Sequence, residues 1–191
     1  MSSSEDLTAC FAAGTVMAEK CVQGYADIEK KYNYATSSLR PSVYLNFKRE
    51  LIYFRIFIAY FEFQTQLNKE NFEYFLLGFK ECLTDTWDSR LVDGVQHKLK
   101  KYGEKFIVKE NTYLKLSVTD GIVDELLVNS GFSVEDYISF DRTELKRIFR
   151  IDLQVHKLQI DRFLGLLLMN DKERAQALKE LGNLPPLTIN Y

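Results

Sequence analysis

The residues with the widest chemical range in this chain are its two histidines, and His156 stands in the more suggestive setting. On a helical wheel of about 100° per residue, His156 falls among Leu145, Phe149, Phe163 and Leu167, so it should point inward. Asp152 sits one turn before it. A carboxylate beside an imidazole sets its tautomer and raises its basicity, which a general base or a metal ligand needs. Yet no nucleophile, no Glu-x-x-His element and no second nearby histidine completes a catalytic or di-metal arrangement. Asp152 and His156 are therefore predicted as a polar site inside the core, the imidazole bonded to Asp152 or to a backbone carbonyl. No catalytic residue, metal site or cofactor is expected.

A second set of polar groups lies on a helix predicted from Pro41 to about Leu67. Its centre, Leu51 to Phe63, carries only two charges, Arg55 and Glu62. So apolar a segment belongs inside, with the rest of the chain packed around it. Spanning a bilayer needs about 20 apolar residues, which this run does not supply. One edge of the helix gathers Asn46, Glu50, Tyr53, Phe57, Tyr60 and Gln64. A carboxylate, two phenols, amides and a ring are what a small-molecule pocket between helices uses. Asn46, Glu50, Tyr53, Tyr60 and Gln64 are thus candidate ligand-binding residues, the rival being that they hydrogen-bond to neighbouring helices and fix the packing. The opposite edge, with Lys48, Arg55, Glu62, Gln66 and Lys69, is expected to meet water. Its alternative is a buried Arg55–Glu62 pair that would need further hydrogen bonds to offset desolvation.

The other histidine, His97, lies on the polar face of its helix with Arg90, Asp93 and Lys101 in nearly the same column. The spacing of Arg90 and His97 resembles the loose Arg…His motif of the HEPN ribonucleases, which are also helical. That resemblance covers one helix and implies an Arg and a His meeting across a dimer to cleave RNA. In the motif a polar residue typically follows the Arg, where this chain has Leu91. Arg150 and His156 share the spacing but lie about 120° apart on a helix. Lys98, Lys100, Lys101, Lys105 and Lys109 form a basic run that Glu104 and Glu110 dilute. With a net charge of −2 and no Gly-rich phosphate loop, no nucleic-acid partner is expected.

The elements that position these groups read as helices from end to end. Ser4 with Glu5 and Asp6 starts one that runs to about Tyr34, with Gly14 and Gly24 as weak points. Asn68 caps the next, over 69–83, and another follows at 90–102 with Gly103 as its stop. Residues 105–118 have strand-forming residues on both sides of a polar centre, so one short β-hairpin is weighed against a bent helix. Helices follow from about Thr119 to Asn129, from Ser133 through Asp136, and from the capping box at Asp141 and Glu144 to about Met169. A last one starts near Asn170 and ends at Gly182, before Pro185 and Pro186. The fold class expected is all-α: one compact domain over 1–191, a multi-helix bundle around a buried aromatic-rich central helix, with a docking tail at 183–191.

With 191 residues, 46% of them hydrophobic, the chain has enough material for such a core. Fourteen Phe and 11 Tyr make that core bulky and leave many phenol hydroxyls needing partners. The three cysteines have no metal-like spacing and read as reduced thiols, and no secretory signal or membrane span is evident, so a cytoplasmic location is expected. The function that follows is a non-enzymatic helical binding or interaction protein that associates with a protein partner or with itself as a homodimer. The alternative is a sensor or carrier for a small apolar or aromatic molecule held between helices. An HEPN-like ribonuclease is the second alternative.

Overall fold

The structure is a computed structural model that describes residues 4–87, 89–106, 109–133, 140–169 and 172–173. Its described residues form an all-α bundle: α1 (Ser4–Gln23), α2 (Ala26–Ala35), α3 (Pro41–Gln66), α4 (Lys69–Thr86), α5 (Ser89–Lys105), a 3-10 segment (Lys109–Leu114), α6 (Leu116–Asn129) and α7 (Arg142–Leu168). Helix α3 is the axis, touched by α1, α4, α5, α6 and α7. From Tyr53 to Ala59 every one of its residues is buried, as a helix apolar on all sides requires. Phe54 meets Phe57, Tyr102, Phe106 and Phe149 with ring centroids 5.6–5.8 Å apart. Farther along, Phe63 stacks on Phe75 of α4 at 4.1 Å. The density of aromatic residues therefore goes into a continuous packed core.

Local chemistry sets the ends of the elements. Pro41 opens α3 at a position where its missing N–H costs nothing. The side chain of Asn68 accepts from the Asn71 N–H at 3.0 Å, and that of Asp141 from the Glu144 N–H at 2.9 Å. At the end of α6, Gly131 adopts φ +80° while the Phe132 N–H donates to Leu127 O and the Gly131 N–H to Val128 O. These are the paired bonds of a Schellman motif, which needs a residue tolerant of the left-handed region. The long first helix expected to reach Tyr34 breaks at Gly24, whose φ of +67° redirects the chain into α2.

One expectation is corrected. The hairpin considered for 105–118 is not seen: Lys109–Leu114 winds into a 3-10 turn, with Asn111 at φ 56°. Tyr113, one of its supposed strand formers, is buried with its hydroxyl bonded into the core, so tertiary contact overrides β-propensity. The short helix expected from Ser133, the last helix from Asn170 and the tail at 183–191 fall for the most part outside the described residues. No described helix is long and apolar enough to cross a membrane.

Helices α1 and α4 pack along their length, and their closest approach lies at two glycines. A Cβ on Gly14 would stand 2.1 Å from the Phe75 carbonyl oxygen, and one on Gly78 would stand 2.1 Å from that of Phe11. The two backbones are in contact there, and Thr15 Oγ1 lies 3.4 Å from Gly78 O across the seam. Gly14→Ala and Gly78→Ala should each destabilise the protein by about 1–3 kcal/mol through overpacking. Gly121→Ala and Gly165→Ala, in helices where an added Cβ meets nothing within 4 Å, should instead be neutral or stabilise by up to about 1 kcal/mol. Chemical denaturation of the four variants checks the contrast.

Candidate functional site

The buried charged residues of α3, Glu50, Arg55 and Glu62, are each answered from another element. Arg55, 1% exposed, donates from Nε and Nη2 to Asp152 Oδ2 of α7 at 3.1 and 2.9 Å, and from Nη2 to Glu29 Oε1 of α2 at 2.7 Å. Tyr32 OH donates to the same Asp152 oxygen at 3.0 Å, while Asp152 Oδ1 is buried without a hydrogen-bond partner among the described residues. Burial works against the Arg55 charge, but Asp152 and Glu29 outweigh it and hold the guanidinium ionised. Gly24 covers the pair so closely that a Cβ would stand 2.6 Å from Arg55 Nη1. The edge expected to meet water is therefore sealed at Arg55 and Glu62, and each is bonded to other elements; Gln66 and Lys69 beyond them are exposed.

His156 completes this cluster. Its Nε2 lies 3.0 Å from the Arg55 carbonyl oxygen, which only accepts, so Nε2 carries the proton and Nδ1 accepts from Tyr25 OH at 3.2 Å. Burial, and then the Arg55 charge, push the imidazole down to about 4, so it is neutral at pH 7. Cys21 Sγ lies 4.0 Å from Nε2, and burial pushes that thiol well up, away from the nucleophilic thiolate. Asp152 and His156 thus do come together, but through Arg55 rather than directly, in a site where both are fully buried. Its parts are structural: they tie α2, α3 and α7 together.

Two further carboxylates on α3 are bonded by phenols. Glu50 accepts from Tyr102 OH at 2.5 Å and pairs with Lys98, whose Nζ also sits 5.6 Å from the ring centre of Tyr53. Burial and then the Glu50 charge push the Tyr102 phenol up, so it remains a donor. Glu62 accepts from Tyr113 OH at 2.9 Å with Lys157 Nζ at 3.9 Å; burial raises this carboxyl, and the Tyr113 bond and Lys157 partly offset the rise. Glu50 and Tyr53 of the candidate ligand face are thereby engaged in packing, and Asn46 Nδ2 reaches Ser130 O at 3.5 Å. Tyr60 and Gln64 have a different setting.

Those two residues line a groove of about 770 Å³ between α3, α4 and α5. The floor is α3, with Ile56, Tyr60 and Phe61 and with Gln64 at one end. Helix α4 supplies Leu76, Phe79 and Leu83 as one wall, and α5 supplies Val92, Val95 and Leu99 as the other. Each wall is a stripe at three- and four-residue spacing, so each helix offers two turns of apolar surface. The walls exist because the α4 backbone is close to α1, while it meets α3 through bulky side chains, as Phe75 does Phe63, and approaches α5 little. The sequence predicts the helix over 90–102 but not the walls, because a groove shared by three helices leaves no mark within any one of them.

His97 is exposed on α5, and the side chain of Arg90 lies outside the described residues, so no Arg–His site is drawn from this fold. Among the described residues no group of His, Cys, Asp and Glu is arranged to hold a metal ion. Family models, curated proteins and solved structures give no match to this chain.

Two predictions test the buried cluster. An unpaired buried charge is costly, so Asp152→Ala should lower stability by about 3–5 kcal/mol, whereas Lys30→Ala, at a pair 79% exposed, should leave the denaturation midpoint unchanged. The histidine adds a pH dependence. Its folded value, about 4, lies below the ordinary 6.5. The unfolded chain therefore takes up a proton that the folded chain refuses as the pH falls between those values. The contribution is full above pH 6.5 and is lost toward pH 4, by about 3 kcal/mol at most. His156→Gln, which keeps a donor for the Arg55 carbonyl, should flatten that part of the stability–pH curve.

Proposed function

We propose that the protein is a non-enzymatic binding protein that carries or senses a small molecule with an apolar, aromatic body, held in the α3/α4/α5 groove. The observation that carries this reading is six half-buried apolar side chains, Tyr60, Phe61, Leu76, Val92, Val95 and Leu99, converging on one concavity. The volume, about 770 Å³, falls in the range of ~300–1,000 Å³ usual for ligand sites. Apolar walls with a few placed polar groups, here Gln64, Thr84 and Gln96, are what such sites use to bind and orient a ligand. The buried polar clusters favour the same reading, since their hydrogen bonds are spent on packing rather than turned toward a substrate.

A second reading is favoured by the two-turn stripes on α4 and α5. An amphipathic helix of a protein partner, or of a second copy of this chain, would lay an apolar face into the same groove. Both readings make the protein a binder and use the same wall residues.

The test is fluorescence titration with N-phenyl-1-naphthylamine, a neutral aromatic probe that brightens in apolar surroundings. The parent protein should bind it saturably. Val95→Trp fills the groove from a half-buried position and should weaken that binding at least about tenfold, with helical content and melting temperature retained. Equal binding by parent and variant, or none by the parent, would refute the ligand reading.

A further inference from the structure

The rim of the groove carries Lys80 from α4, Lys100 from α5 and one acidic group, Asp93. The neighbouring lysines of α5 are already occupied: Lys98 by Glu50, Lys101 by Asn129 Oδ1 at 2.7 Å, and Lys105 by Glu125 at 2.5 Å. Among the described residues neither Lys80 nor Lys100 forms an ion pair. In a chain with more acidic than basic residues, the mouth of its apolar groove is thus left with an excess of positive charge. Gln64 and Gln96 add amide donors to the same lining.

We infer that the groove takes an amphipathic anion, its apolar or aromatic body on the α3 floor and a single carboxylate- or sulfonate-type group at the rim against Lys80 and Lys100. The inference rests on the groove reading above and names the class of its ligand. Apolar burial supplies most of the affinity, while the two ammonium groups select against a neutral molecule of the same shape and against a cation. Asp93 lies two turns before Lys100 on α5, about 10 Å along the helix. A single anionic group beside Lys100 is therefore held away from that carboxylate.

The experiment compares 1-anilinonaphthalene-8-sulfonate with N-phenyl-1-naphthylamine, the same aromatic framework with and without the anion. Both are titrated into the parent, Val95→Trp, the double variant Lys80→Gln/Lys100→Gln and a remote control, Lys30→Gln/Lys115→Gln. The double variant should lose about tenfold or more in affinity for the sulfonate, keep its affinity for the neutral probe, and lose the salt dependence of sulfonate binding. The control, with the same change in net charge, should behave as the parent. If the double variant binds the sulfonate as tightly as the parent while Val95→Trp abolishes both probes, the anion inference falls and the groove stands. If Val95→Trp leaves both probes bound, the groove reading falls and the inference with it.

Discussion

A guanidinium sealed inside a helix bundle has to be matched by negative charge, and the arrangement around Arg55 follows from that constraint. Arg55 and Asp152 are buried, and the opposing charge comes from Asp152 on α7 and Glu29 on α2, with Tyr32 adding a third donor to the Asp152 oxygen. Such a cluster is not an efficient source of stability compared with an apolar filling of the same volume, but it is intolerant of rearrangement, because any shift strands a charge. It therefore sets the positions of α2 and α7 against α3. His156 extends the same logic: one nitrogen caps a carbonyl of α3, and the other receives the Tyr25 hydroxyl at the start of α2.

The other two buried charged positions of α3 repeat the device with phenols. Tyr102 on Glu50 and Tyr113 on Glu62 each bring a buried hydroxyl to a buried carboxylate from elements that follow α3 in the chain. Tyrosine suits this role because its ring adds to the apolar core while its hydroxyl satisfies the carboxylate. The consequence for function is a division of labour. Polar chemistry inside the bundle is consumed in holding helices together, and the groove proposed to receive another molecule lies between α3, α5 and α4, which is fastened to α1 by the Gly14 and Gly78 contact.

The features legible in the sequence were those with local causes. Pro41, Asn68, Asp141 and Gly131 act on the nearest turn of backbone, and each lies at an element end. The central position of α3 was legible because a helix apolar on every side has one place to go. What a helical wheel does not contain is the partner. Arg55 and Glu62 looked like a wet edge because their partners sit on α2, the 3-10 turn and α7, apart from them in the chain. Gly14 reads in sequence as a weakness of α1; in the fold it is the condition for backbone contact with α4. Of the candidate ligand face, Tyr60 and Gln64 do line a groove, whereas Glu50 and Tyr53 are occupied by Lys98, a residue on a helix the wheel does not include.

The central claim is that this molecule binds through the α3/α4/α5 groove and that its buried polar cluster is structural. Amide chemical-shift mapping on addition of N-phenyl-1-naphthylamine tests it most directly. The account predicts that the largest changes fall in three segments, 56–64, 76–84 and 92–100, and leave Tyr25, Tyr32, Asp152 and His156 essentially unmoved. Changes centred on that tyrosine, aspartate and histidine cluster, or scattered with no focus on the groove, would contradict it.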